Sequence, residues 1–268
     1  MAERGAMSRL GEIRSALEGC YFSMEALCAD LGDAEWRVQS LCPDWNVRDV
    51  VNHLTGMEAV MAGWLPDDAS TPPPFERAAD FVRETAGLDS AAFVERVRAT
   101  YDRRRQDLAS LSSADFERPS WMPTGPGTYG RFLAIRVFDF WVHERDITAP
   151  LARVTDDTGV AAEIALGEVE SSLGYIVGKK VGLPDGKSIA FQLTGPIHRE
   201  LDVLVDGRAK QVDRLESPDV EIMTDSTTFI QLACGRIDPQ VAIDSGAIKW
   251  NGAAQLGERA ARNLRFTM

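Results

Sequence analysis

Apolar residues recur along the first sixty positions at the spacing of a helix. Leu10, Ile13, Leu17, Cys20, Met24, Leu27 and Leu31 follow one another at steps of three and four, which places them on one stripe and predicts a helix from about Ser8 to Leu31. A second helix is predicted to start at Asn46, whose side chain can cap the amide of Asp49, with Val47, Val50, Val51, Leu54, Met57, Val60 and Met61 on its apolar face. The proline-rich stretch from Pro66 to Pro74 cannot continue a helix. Ser90 is then expected to cap a third, with Val94, Val97, Tyr101, Leu108 and Leu111 in step. A Pro/Gly-rich loop from Arg118 to Gly130 leads to a fourth helix over about Thr128 to Thr148. Four amphipathic helices joined by polar loops predict a four-helix bundle.

Beyond Pro150 and a Thr-Asp-Asp-Thr-Gly turn the period changes. A helix from about Ala161 to Val181 precedes four segments, 188–193, 201–205, 208–212 and 220–223, that alternate as half-buried strands do. Asp206-Gly207 reads as a hairpin turn, Ser226 as the cap of a helix that stops at Gly235, and residues 247–250 as a short strand before a last helix from about Ala253 to Leu264. The fold class is therefore α plus α+β in two domains, 1–155 and 156–268, the second with a mostly antiparallel sheet.

Composition sharpens this division. All five lysines lie after residue 155, while residues 1–155 carry 17 arginines and five of the six tryptophans. Both parts are acidic, and the net charge of −12 repels a phosphate backbone, so nucleic acid is not an expected partner. No apolar run approaches the ~18 residues of a membrane span and no signal peptide opens the chain, which makes a cytoplasmic protein the expectation. Cys20, Cys28, Cys42 and Cys234 show no metal or disulfide spacing and read as reduced, mostly buried thiols.

The candidate chemistry centres on the chain's three histidines. His198 falls between predicted strands and reads as a surface residue. His143 lies four residues after Asp139 on the fourth helix, with Arg136 and Asp146 continuing the same stripe beside an apolar face. A carboxylate and an imidazole at that spacing can hold one divalent ion, and His53 from a facing helix would add a third ligand, leaving positions open for water or substrate. A structural ion pair between Asp139 and a protonated His143 fits the same residues, with Glu144 and Arg145 on the solvated side. Spacing alone does not choose between the two. The glycine-rich run Gly125 to Gly130 lacks the ending of a phosphate loop and reads as an ordinary loop.

Two segments carry a resemblance. Cys42-Pro-Asp-Trp-Asn-Val-Arg-Asp-Val-Val-Asn-His-Leu54 and Arg136 to Ile147 resemble the second- and fourth-helix motifs of the mycothiol-dependent maleylpyruvate isomerase family, within the DinB-like metal-binding bundles. Residues 160–268 are similar to the sterol-carrier-like domain that often follows, including the turn Leu232 to Arg236. The resemblance implies that His53, Asp139 and His143 bind a divalent metal, usually Zn2+, and that the protein is an enzyme using mycothiol as cosubstrate. A metal-bound thiolate would add to the double bond of maleylpyruvate, permit rotation, and leave to give fumarylpyruvate. Where that isomerase has a glutamate this sequence has Asp139, one methylene shorter. Arg136 is the expected partner of a substrate carboxylate, ahead of Arg48 and Arg145, which read as solvated helix charges. A mycothiol S-transferase acting on other electrophiles, and a non-enzymatic binder of metal and lipid, are the alternatives. A monomer or small homo-oligomer is expected.

Overall fold

The computed structural model describes residues 2–266, with side-chain burial from residue 9 onward. The chain divides into two compact units, Met1–Thr155 and Asp156–Met268.

The first unit is helical. Its helices are α1 (Ala2–Asp30), α2 (Val47–Met61), α3 (Ala78–Thr85), α4 (Ser90–Ser110), α5 (Ser113–Phe116) and α6 (Tyr129–Thr148). A minimal hairpin of β1 (Pro119–Ser120) and β2 (Gly127–Thr128) precedes α6. The four long helices α1, α2, α4 and α6 match the four expected. Leu17 and Met24 of α1, Leu54 and Met61 of α2, Val97 and Tyr101 of α4, and Leu133 and Phe140 of α6 are buried between them. The start of α2 is fixed by a reciprocal box, in which Asn46 Oδ1 accepts from Asp49 N and Asp49 Oδ2 accepts from Asn46 N, both at 3.0 Å.

Several boundaries differ from the sequence reading. α1 begins six residues before Ser8, in good helix formers that carry no apolar stripe. α4 is capped by Asp89, whose Oδ1 accepts from Ala92 N at 2.8 Å, while Ser90 donates to Asp33 instead. α3 was not expected, because only Phe81 and Thr85 point inward and two residues make no periodic signal.

In the second unit, α7 (Gly159–Ser171) and α8 (Leu173–Tyr175) lead into a π-helical turn, Ile176–Val181. Sequence periodicity predicts one continuous helix here. Past the break the segment runs close to the sheet, where Cβ atoms at Gly174 and Gly178 would stand 3.0 and 3.1 Å from Ala209. Then come β3 (Ser188–Thr194), β4 (Arg199–Asp206), β5 (Arg208–Val212), β6 (Val220–Asp225), α9 (Ser226–Ala233), α10 (Pro239–Asp244), β7 (Ile248–Gly252) and α11 (Ala254–Asn263). The sheet order is β5-β4-β3-β6-β7, antiparallel except for the β3–β6 pair, in accord with the expected α+β class. Gly207 makes the β4–β5 turn at φ 66°. Asp225, one residue before the expected Ser226, caps α9, and Ser226 accepts from Ile197 N at 3.1 Å. The short α10 was not expected.

Among the described residues, no helix is long and apolar enough to cross a membrane.

Candidate metal centre

The loop ahead of α2 forms the roof of a polar cluster. Gln39 Nε2 donates to the carbonyls of Cys42 and Trp45 at 2.7 and 2.8 Å, and Leu41 N donates to the Asp146 carbonyl of α6 at 3.0 Å. These bonds hold Cys42 and Trp45 over the facing sides of α2 and α6. There Trp45 lies 4.9 Å from the His53 ring and 6.0 Å from the His143 ring, centroid to centroid.

His53 of α2 and Asp139 and His143 of α6 meet beneath that roof. His53 Nε2 stands 3.4 Å from Asp139 Oδ2, and His143 Nε2 stands 3.4 Å from Asp139 Oδ1. One ligand atom from each lies within 4.8 Å of the others. The other ring nitrogen of His143, Nδ1, is 2.8 Å from Asp146 Oδ2, which in turn accepts from Cys42 Sγ at 3.2 Å. Asp146 thus fixes the ring and leaves Nε2 directed at Asp139, the arrangement by which an outer carboxylate orients a metal-binding imidazole. A second group, Cys42, His143 and Asp146, is equally compact but wholly buried, whereas His53 is partly exposed beside a cavity of ≈ 370 Å³.

Behind Asp139 runs a chain of buried charges. Arg136 donates from Nη1 to Asp139 Oδ2 and from Nε to Glu58 Oε1 at 3.0 Å. Glu58 Oε2 accepts from Arg104 Nε at 2.8 Å and from the Tyr21 hydroxyl at 2.6 Å. Burial would raise the Asp139 carboxyl, but the charges of Arg136 and His143 hold it well below the usual carboxylate range. Burial would lower His143, but Asp139 and the hydrogen bonds to Asp139 and Asp146 raise it well above an ordinary histidine. Glu58 is likewise held low, with burial opposed by Arg104 and Arg136. Burial lifts the thiols of Cys20 and Cys28 to about 12, so neither is a nucleophile near neutrality.

The three expected ligands therefore converge, and His198 lies exposed between β3 and β4. Arg136 does not face solvent. Its charge is already matched by two protein carboxylates, and a substrate carboxylate would have to displace one of them. Arg48 and Arg145 are not solvated helix charges either. Arg48 donates to the carbonyls of Thr85 and Leu88 and lies 4.0 Å over Phe93, and Arg145 is buried 3.5 Å over the Trp141 ring. Glu58 and Arg104 went unassigned in the sequence, although each interrupts an apolar stripe: Leu54-Glu58-Met61 on α2 and Tyr101-Arg104-Leu108 on α4. A charge inside such a stripe is the signal that would have found them. Met57, placed on the apolar face of α2 by the sequence, is only half-buried, and Glu58 takes the interior position.

Residues 22–148 match the family model of the mycothiol maleylpyruvate isomerase N-terminal domain. A search of curated proteins finds no match. Among solved structures, a mutant of the mycothiol-dependent maleylpyruvate isomerase aligns over 92% of this chain and 92% of that one, at 16% identity and a TM-score of 0.57. The unmutated isomerase aligns over 87% and 90%, at 16% identity and a TM-score of 0.56. A sterol carrier protein 2 from Yarrowia lipolytica, in its apo form, aligns over 41% of this chain and 97% of that one at 13% identity, with a TM-score of 0.27 that adds nothing to the fold description. By its family model the first unit belongs to the mycothiol maleylpyruvate isomerase N-terminal domain family, and by fold the chain is like the mycothiol-dependent maleylpyruvate isomerase.

Proposed function

We propose that the protein is a metal-dependent enzyme that uses mycothiol, with His53, Asp139 and His143 as ligands of one divalent cation, Zn2+ by the nature of the donors. The carrying observation is the convergence of two imidazole nitrogens on the two oxygens of Asp139, each at 3.4 Å, with the far nitrogen of His143 tied to Asp146. Two imidazoles and a carboxylate are the donor set of three-ligand zinc sites that keep a position open. Bound there, such a cation lowers the pKa of a sulfur ligand and keeps it ionised at neutral pH.

The chain's own residues supply orientation. Asp146 Oδ2, 2.8 Å from Nδ1 of His143, orients the ring so that Nε2 faces Asp139. Arg136 restrains the Asp139 carboxylate, and Glu58, locked between two guanidiniums and Tyr21, restrains Arg136. Trp45 packs beside the two imidazoles, its ring 4.9 and 6.0 Å from theirs. In the isomerase reading the mycothiol thiolate adds to the activated double bond of maleylpyruvate, the new single bond rotates, and expulsion of the thiolate restores the double bond as fumarylpyruvate. In the transferase reading the adduct departs.

A mycothiol-dependent assay with maleylpyruvate and with a general electrophile such as chlorodinitrobenzene tests the proposal. Turnover that requires both mycothiol and bound metal, and that falls by orders of magnitude in His53→Ala, supports it. Turnover indifferent to the thiol would overturn it.

A further inference from the structure

The cavity beside His53 carries information about what sits next to the reacting sulfur. It measures ≈ 370 Å³ and is lined by Asp44, Trp45, Asp49, Asn52 and His53 on one side and by Ala78, Ala79 and Val82 at α3 on the other. Its lining has two carboxylates, an indole, a carboxamide and small apolar residues. Neither lysine nor arginine is among them. Apart from a cation held at His53, an anionic dicarboxylate finds no counter-charge among these side chains.

Asn52 supplies the second observation. It immediately precedes His53 on α2 and is only 7% exposed. Its Oδ1 accepts from Thr85 Oγ1 at 3.0 Å, which anchors one end of the amide. Its Nδ2 has no hydrogen-bond partner among the described residues, and it is not one of the polar atoms sealed from solvent. Asn52 is one of the residues that line the cavity. That donor is free to bond an acceptor in the cavity, whether water or a ligand oxygen.

Resting on the proposed mycothiol-dependent function, we infer that this cavity takes the neutral, hydroxyl- and amide-bearing body of the thiol cosubstrate, with Asn52 Nδ2 as a donor to one of its oxygens. The pattern of groups fits that chemistry. Hydroxyls can donate to the carboxylates of Asp44 and Asp49, accept from Asn52, and present C–H faces to Trp45 and Val82. The electrophile then approaches from another side of the metal centre. A thiol bearing carboxylates, such as glutathione, meets Asp44 and Asp49 as like charges and is disfavoured. The site thereby selects the thiol by charge as well as by shape, since a carboxylate on the wrong ligand is left unpaired.

Calorimetric titration of the full-length, metal-loaded protein tests this with four probes: mycothiol, S-methylated mycothiol, glutathione and N-acetylcysteamine. The methylated probe keeps the body but cannot ionise at sulfur, and N-acetylcysteamine keeps the sulfur but lacks most of the body. Asn52→Ala should weaken both mycothiol probes by roughly three- to tenfold, the worth of one hydrogen bond, and leave N-acetylcysteamine unchanged. That last probe separates a lost contact from a damaged fold. Asp44→Asn, at an exposed position, should narrow the preference for mycothiol over glutathione by about two- to fivefold. If wild type binds mycothiol but Asn52→Ala binds it equally well, or weakens N-acetylcysteamine as much, the cavity assignment is wrong while the proposed function stands. If wild type binds no mycothiol, the proposed function itself falls and the assignment with it.

Discussion

In the first unit Glu58, Arg104, Arg136, His143, Arg145 and Asp146 lie buried, whereas in the second, among the described residues, Asp202 is the one buried acidic or basic side chain. Asp202 meets a simple need, since its Oδ2 accepts from Leu215 N at 2.8 Å and pins a loop to the sheet. The second unit otherwise fills its interior with Ile189, Phe191, Val203, Ile222, Phe229 and similar residues. Both units are of comparable size, so size does not explain the contrast. Burying ions costs several kcal/mol each before pairing returns it, and apolar residues of similar volume stabilise a core at least as well. Stability alone therefore does not account for the charges of the first unit. Read in order, Arg104, Glu58, Arg136 and Asp139 form one alternating series of charges, and it ends at the three proposed ligands.

The contrast breaks first at Glu58. Glu58→Ala leaves two buried guanidiniums without their shared partner and should cost roughly 3–5 kcal/mol in the unfolding of the first unit. The second unit should unfold at an unchanged denaturant concentration, and urea titration that follows Trp250, the one tryptophan of the second unit, beside the five of the first can resolve the two. A pH dependence accompanies this. The folded pKa of Glu58 lies below its unfolded value, so its contribution is present above the unfolded value near 4.5 and is lost as pH falls through the folded one. Acid titration should therefore unfold the first unit, and Glu58→Gln should flatten its slope below about pH 4.5.

A smaller effect is expected at Asp146. Asp146→Asn keeps the shape but removes the carboxylate that orients His143, and metal affinity should fall roughly 10- to 100-fold, measured by competition with a chromogenic chelator. The smallest lies in the second unit, where Ile222→Val removes one buried methylene and should cost about 1 kcal/mol with metal content unchanged. A change in metal content there would mean that the second unit participates in the site, and the contrast between the cores would have to be drawn differently.

Much of this was legible in the sequence, for reasons that can be traced. The long helices were found because each buries a whole stripe, and the strands because half-buried positions alternate. The proposed triad was reached because Asp139 and His143 share one helix face, a purely local relation, and because the motifs around them resemble a family. What escaped depends on partners distant in sequence. Glu58 is 37 residues from Tyr21 and 78 from Arg136, so nothing local distinguishes it from a surface glutamate except its place inside an apolar stripe. Arg145 looked solvated because its aromatic partner, Trp141, is a turn away on the same helix and the burial of both depends on tertiary packing. The close approach of Gly174 and Gly178 to Ala209 is likewise long-range, and no helical period can anticipate it.

The central claim is that the buried charges of the first unit exist to hold a metal at His53, Asp139 and His143. Elemental analysis of protein purified without chelator, wild type beside His143→Ala, tests it most directly. About one divalent cation per chain in the wild type, lost in the variant while its helical circular dichroism is retained, is the predicted result. A wild type free of metal, or a variant with full occupancy, would contradict the assignment.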